Sequence, residues 1–265
     1  MSVTETVGQA TIDGLAYVGD LTILTCQSLH AIFVAPFQGQ RLRGQRAIHQ
    51  AMAVGVGAVP ILSLISFFIG VIMALQSAYE LQKLGAIALV ARAVAISVTR
   101  ELAPLITAIV VIGRSGSAFA AELGSMKVND ELDALETMAL DPVQFLVAPK
   151  FLAMALMLPC LTTWSDFMGI IGGSTFGVSV AGFTFSSYMQ ATLHSLSLHD
   201  IVTGLIKSTM FGMVITVVGC QEGLSTGLGP EQVGRSTTSA VVKSIFMVVA
   251  VDLVFTMLFY FTTPR

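Results

Sequence analysis

The sequence predicts an all-α polytopic membrane protein, and three observations predict it. Only 11% of the 265 residues are charged, 54% are apolar, and the mean hydropathy is +0.83. A soluble domain carries about 25% charged residues, so this chain cannot build a water-facing surface; a surface of lipid-facing helices needs none. The apolar residues gather in five runs long enough to cross a hydrocarbon core, which takes about 20 residues of helix. The charges gather too, most densely in residues 122–142, ELGSMKVNDELDALETMALDP, which holds Glu122, Lys127, Asp130, Glu131, Asp133, Glu136 and Asp141.

Taken in order, residues 15–37 are the least apolar of the hydrophobic stretches and are broken by Asp20, Gln27 and His30. They read as an amphipathic helix lying on the membrane surface. The first span, 50–79, is charge-free and contains Pro60. The second, 93–113, must include Arg100 and Glu101 to be long enough. The third, 151–173, contains Pro159 and Asp166. The fourth, 201–221, carries Lys207, and the fifth, 244–262, carries Asp252. No linker divides the chain, so residues 1–265 read as one domain.

With the N-terminus inside, the inner segments hold Arg41, Arg43, Arg46, Arg114, Lys127, Lys150, Arg235 and Lys243. The outer ones hold Lys83, Arg92 and Arg265. Basic residues favour the cytoplasmic side, which places the acidic segment in the cytoplasm. Its residues 129–140 read as a short helix. Asn129 is positioned to cap it, early acids suit the N-terminal dipole, and Asp141-Pro142 stops it. Leu132, Leu135 and Met138 share one face, and Asp130, Glu131, Asp133 and Glu136 cover the other. A helix shown to water between two rigid spans has the shape of a docking element.

Several functions are excluded. The net charge of −3 leaves no basic stripe for nucleic acid. Cys26, Cys160 and Cys220 are widely spaced and read as buried thiols. The first positive charge is Arg41, so no basic region marks a cleavable signal peptide. Gly-Lys never occurs, which excludes a P-loop. GRSG at 113–116 mimics a serine-protease motif, but no histidine lies in a later span to serve Ser115 as base.

The stretch GRSGSAFAAELGSM (113–126) resembles the signature of the MlaE family of ABC-transporter permeases, G-R-x-G-x-A followed by A-E-[LI]-G-x-M. TRELAP (99–104), GLIKSTMFG (204–212), GRSTTSAVVKS (234–244), Asp141-Pro142 and Pro149-Lys150 fit the same pattern, while Asp166 has no place in it. The resemblance implies a homodimeric permease of the bacterial inner membrane, with five spans and an interfacial helix. It implies a cytoplasmic ATPase, which would hold the ATP and Mg, docked on a coupling helix between the second and third spans. Glu122 and Lys127 flank that helix and join its docking surface. A periplasmic MCE-domain protein, a STAS-domain protein and a phospholipid cargo complete the implied system.

Intramembrane charges are costly and ordinarily pair or face a polar cavity. Glu101 or Asp252 is therefore expected to neutralise Lys207, leaving Arg100 for a lipid phosphate. Met73, Gln76 and Tyr79, near the outer end of the first span, are expected to line a lipid site with Arg100 and Glu101. The same buried charges admit an alternative, an ion-coupled secondary transporter or channel.

Overall fold

The computed structural model describes residues 3–33, 44–179 and 184–262, which form helices and turns without strands. Arg41, Arg43 and Arg265, used in the charge asymmetry, and residues 34–37 of the expected surface helix lie outside the described residues. The helices are α1 (Val3–Phe33), α2 (Gly44–Lys83), α3 (Ile87–Val128), α4 (Glu131–Thr137), α5 (Val143–Ser179), α6 (Phe185–Ser195), α7 (Leu198–Leu224) and α8 (Pro230–Thr262). Five of them, α2, α3, α5, α7 and α8, are long and apolar enough to cross a membrane.

Each of the five outruns the stretch expected from hydropathy, because polar residues extend a helix beyond the hydrocarbon without breaking it. α8, expected to begin at residue 244, begins well before it. Gly229, at φ 105°, makes the preceding turn, Pro230 opens the helix, and Glu231 and Arg235 pair one turn apart at 2.8 Å. The acidic segment is corrected in the other direction: α4 has seven residues, about 10 Å of helix. Asn129 does not cap it. Asp130 precedes it in the left-handed region (φ 58°), and Ala139 (φ 57°) ends it before Pro142 is reached. Asp141 instead serves the next helix, its Oδ1 accepting the N–H of Val143 at 2.9 Å. α6 was not expected at all, so the acidic loop is not alone in carrying a helix.

α3 and α5 are not uniform. Residues Val98–Leu102 and Val143–Val147 are π-helical, and Pro104 and Pro149 follow them two residues later. A proline has no N–H and clashes with the carbonyl four residues back; a widened turn just upstream absorbs both defects. A third π turn, Ile112–Gly116, holds Arg114 and Ser115.

The chain divides into two compact units. One comprises residues 1–50, 115–153 and 213–244, the other 51–114, 154–212 and 245–265. In the second, backbones meet through glycine. A Cβ on Gly70 would stand 1.9 Å from the Gly169 carbonyl oxygen, and one on Gly172 2.0 Å from that of Phe67. Small residues permit such approaches, which is how helices associate where lipid offers no hydrophobic drive. Gly173 and Gly177 leave a notch for Tyr188 of α6, which is fully buried; that burial pushes its phenol up to about 12. Arg114 reaches across Gly57 to the carbonyls of Ala53 (2.9 Å) and Val54 (3.1 Å). In the first unit, Gly219 and Gly223 of α7 pack against Gly116, Ala120 and Leu123 of α3, so the small residues of GRSGSAFAA serve helix packing. Of the cysteines only Cys220 is buried; Cys26 and Cys160 are exposed, because they fall on outward faces of α1 and α5.

Candidate functional site

In the second unit, the intramembrane charges of α3, α7 and α8 converge on Lys207, which is 0% exposed. Its Nζ donates to Glu101 Oε2 at 2.5 Å and to Thr256 Oγ1 at 2.8 Å. Asp252 Oδ1 lies 3.0 Å away as an ion pair, outside hydrogen-bonding geometry. The Thr256 hydroxyl lies 3.4 Å from both Glu101 oxygens and donates to that carboxylate, closing the ring. Glu101 is not swallowed by the cluster: its side chain keeps 41% exposure. Both expected acids therefore serve Lys207, where either alone would have sufficed for charge balance.

Arg100 has a partner of its own within the protein. Its Nε lies 3.6 Å from Asp200 Oδ1. Asp200 and Lys207 are seven residues apart on α7, two turns of one stripe, so adjacent residues of the π turn serve both. Gly204 lies between them on that stripe. A Cβ there would stand 2.5 Å from the Thr99 carbonyl oxygen, so glycine sets the distance at which the charges meet.

Asp200 also fixes the start of α7. Ser197 Oγ accepts the N–H of Asp200 (3.2 Å), and Asp200 Oδ2 accepts the N–H and hydroxyl of Ser197 (3.0 and 2.7 Å). This is a reciprocal cap, and its signal, Ser-x-x-Asp at 197–200, was legible in the sequence though unused. Ser197→Ala is expected to cost about 1 kcal/mol and to loosen Arg100 indirectly. Hydrogen exchange at the first turn of α7 would register it, and unchanged protection there would show that the cap is idle.

The residues expected to contact lipid on α2 differ in their surroundings. Met73 packs into the apolar cluster of Ala74, Val90, Val94 and Val98. Gln76 and Tyr79 are exposed, with Lys83 Nζ 3.9 Å over the Tyr79 ring. They belong to an outward stripe of α2 that includes Phe68, Ile72 and Leu75.

In the first unit, the acidic segment divides into displayed and anchored residues. Asp130, Glu131, Asp133 and Glu136 are exposed, Leu135 is half-buried, and Met138 is 67% exposed. Leu132 is buried where α4 packs against Ser117–Val128. Glu122 and Lys127 are engaged within the unit: Glu122 Oε2 accepts from Lys150 at 2.7 Å, and Lys127 donates to the Leu224 carbonyl. A neighbouring cluster joins α1 to α7 and α8. Lys243 binds Glu222 at 2.7 Å and sits 4.3 Å over the Tyr17 ring, and burial, then the Glu222 carboxylate, raise the Tyr17 phenol.

Membrane-length helices held by backbone-close glycine contacts, with a buried lysine shared by two acids and a short amphipathic helix between two spans, define a multi-pass membrane protein. Residues 47–258 match the family model described as Permease MlaE, and the chain belongs to that family. A probable ABC transporter permease protein of Rickettsia felis is 33% identical over 260 residues, 98% of each chain. One of Synechocystis sp. is 38% identical over 217 residues, 82% of each. The chloroplastic protein Trigalactosyldiacylglycerol 1 of Arabidopsis thaliana is 35% identical over 220 residues, 83% of this chain and 63% of that one.

Proposed function

We propose that this chain is the membrane subunit of an ABC transporter for phospholipid or a related lipid, working as a homodimer in a bacterial inner membrane with its N-terminus cytoplasmic. The observation that carries the reading is near full-length likeness to proteins named as ABC transporter permeases. The lipid cargo is supported by the Arabidopsis relative, whose name is that of a galactosylated diacylglycerol. ATP and Mg would be handled by a separate ATPase seated on α4, and an MCE-domain protein on the opposite face would exchange lipid with the permease. A STAS-domain protein would join the ATPase.

In this reading Lys207, Glu101, Thr256 and Asp252 tie together the parts of α3, α7 and α8 that lie in the second unit. Arg100 holds Asp200 only at ion-pair distance, so an anionic headgroup competes for its guanidinium at modest cost. The stripe of Ile72, Leu75, Gln76 and Tyr79 faces outward to receive acyl chains, with Met73 behind it.

Purification from the native membrane tests the reading. The ATPase is expected to co-purify with the full-length chain, and Met138→Glu is expected to release it while leaving thermal stability within about 0.5 kcal/mol, as for other exposed sites. Leu132→Glu is expected to damage the fold as well, since Leu132 is buried. Normal ATPase yield with Met138→Glu would remove α4 as the docking element. Mass spectrometry of the purified complex identifies the cargo, and no lipid enriched over bulk membrane would count against lipid transport.

One observation favours ion-coupled transport instead. Asp166 Oδ1 is buried and lacks a hydrogen-bond partner among the described residues, and such carboxylates mark ion pathways. Transport by the isolated chain in liposomes, driven by an ion gradient without ATP, would establish that reading.

A further inference from the structure

The first unit contains a cavity of about 720 Å3 that the transport reading does not use. Its walls include Arg46 and His49 from the first turns of α2, Glu122 from α3, and Phe145, Leu146 and Lys150 from the start of α5. We propose that it binds the phosphate of a membrane phospholipid, at a site separate from the Lys207 network.

Charge is the first argument. Lys150, 2% exposed, is matched by Glu122 at 2.7 Å, so these two cancel and Arg46 supplies a further positive charge in the wall. The Arg46 guanidinium lies 3.7 Å from the centroid of the Phe145 ring. A guanidinium fork can take two phosphate oxygens at once. His49 adds a second donor.

Location selects the source of the phosphate. The π turn Val143–Val147 that supplies Phe145 and Leu146 packs against α1. α1 buries Leu21, Leu24, Ser28 and Ala31 and leaves Ile12, Leu15, Val18 and Ile23 exposed, with Glu222 and Lys243 clustered at Tyr17. A helix with one face packed on its own protein and a second apolar face uncovered suits the headgroup boundary. The cavity beside it therefore opens at the depth where lipid phosphates reside. Leu146 and the uncovered face of α1 give the acyl chains an apolar path that a free phosphate would not need.

The test places a photo-crosslinking residue at Leu146 of the full-length chain in vesicles containing radiolabelled phosphatidylglycerol, with labelled diacylglycerol as the neutral control. Phosphatidylglycerol is expected to be captured and diacylglycerol at least about tenfold less. Arg46→Gln is expected to reduce capture about tenfold, the loss of one charge-assisted contact, and Arg46→Lys to restore part of it. His49→Gln, at an exposed position, is expected to reduce capture by a smaller factor. Since Arg46 packs on Phe145, the thermal midpoint of each variant is measured alongside, and a capture loss at unchanged midpoint supports the site. Equal capture of diacylglycerol, or full capture by a stably folded Arg46→Gln protein, would overturn it. Capture of no lipid, with inorganic phosphate alone protecting His49 from modification, would also overturn it, assigning the cavity to a soluble anion. None of these readouts requires an ATPase or transport.

Discussion

Replacing Lys207 with methionine is expected to be among the most damaging single changes in this chain. The substitution removes the cation and leaves Glu101 and Asp252 facing each other inside the bundle, with the Thr256 hydroxyl unable to satisfy both. Breaking a buried ion pair from one side costs about 3–5 kcal/mol, and here the charge left desolvated and uncompensated is that of Asp252, since Glu101 keeps access to solvent. Asp252→Asn is expected to be far milder, since Lys207 keeps Glu101 at 2.5 Å. Glu101→Gln should fall between them, because Asp252 keeps the charge balance without a hydrogen bond. The decisive protein is the triple variant Lys207→Met, Glu101→Gln, Asp252→Asn. Its thermal midpoint in detergent is expected to recover most of the loss, since no lone charge remains. If the three effects simply add, the cluster is not a coupled network.

Gly172→Ala and Gly70→Ala are expected to be comparably severe for a steric reason. The new methyl would stand 2.0 Å from the Phe67 carbonyl oxygen in one case and 1.9 Å from that of Gly169 in the other. Those obstacles are backbone, so relief requires α2 and α5 to separate by more than an ångström. Overpacking of this kind costs about 1–3 kcal/mol or more, and the separation also strains the Ser66–Ser165 hydrogen bond (2.6 Å). Gly55→Ala is the informative comparison. Its Cβ would meet Met157 Cε at 2.2 Å, but that is the far end of a flexible side chain and can turn away. Gly234→Ala, with nothing within 4 Å, is expected to be neutral or to gain up to about 1 kcal/mol from helix propensity. Equal losses at all four positions would refute the backbone-contact argument.

These expectations show where sequence was informative. Five apolar runs determined the all-α membrane class, since an apolar run of that length has one low-energy fate in lipid. Their cores were legible and their ends were not. Hydropathy marks where a helix leaves hydrocarbon, whereas Pro230, Asp141 and Ser197 decide where hydrogen bonding begins. α6 escaped notice because its polar face lowers its hydropathy, although Thr184 precedes it and Tyr188 anchors it.

The identity of the buried charges was likewise fixed by sequence: Arg100, Glu101, Lys207 and Asp252 are conspicuous inside apolar runs. So was the displayed acidic segment, because charge of that density cannot be buried. Which groups meet was decided only by tertiary structure. Pairing depends on helix rotation and depth, and here a π turn shifts the register of Arg100 and Glu101 while Gly204 sets how closely α7 approaches. Sequence spacing cannot report either quantity. The same reason explains why Glu122 and Lys127, adjacent to the docking helix in the chain, turn inward to Lys150 and the Leu224 carbonyl. A charged residue's partner is set by three-dimensional distance, and only the packed helices fix that.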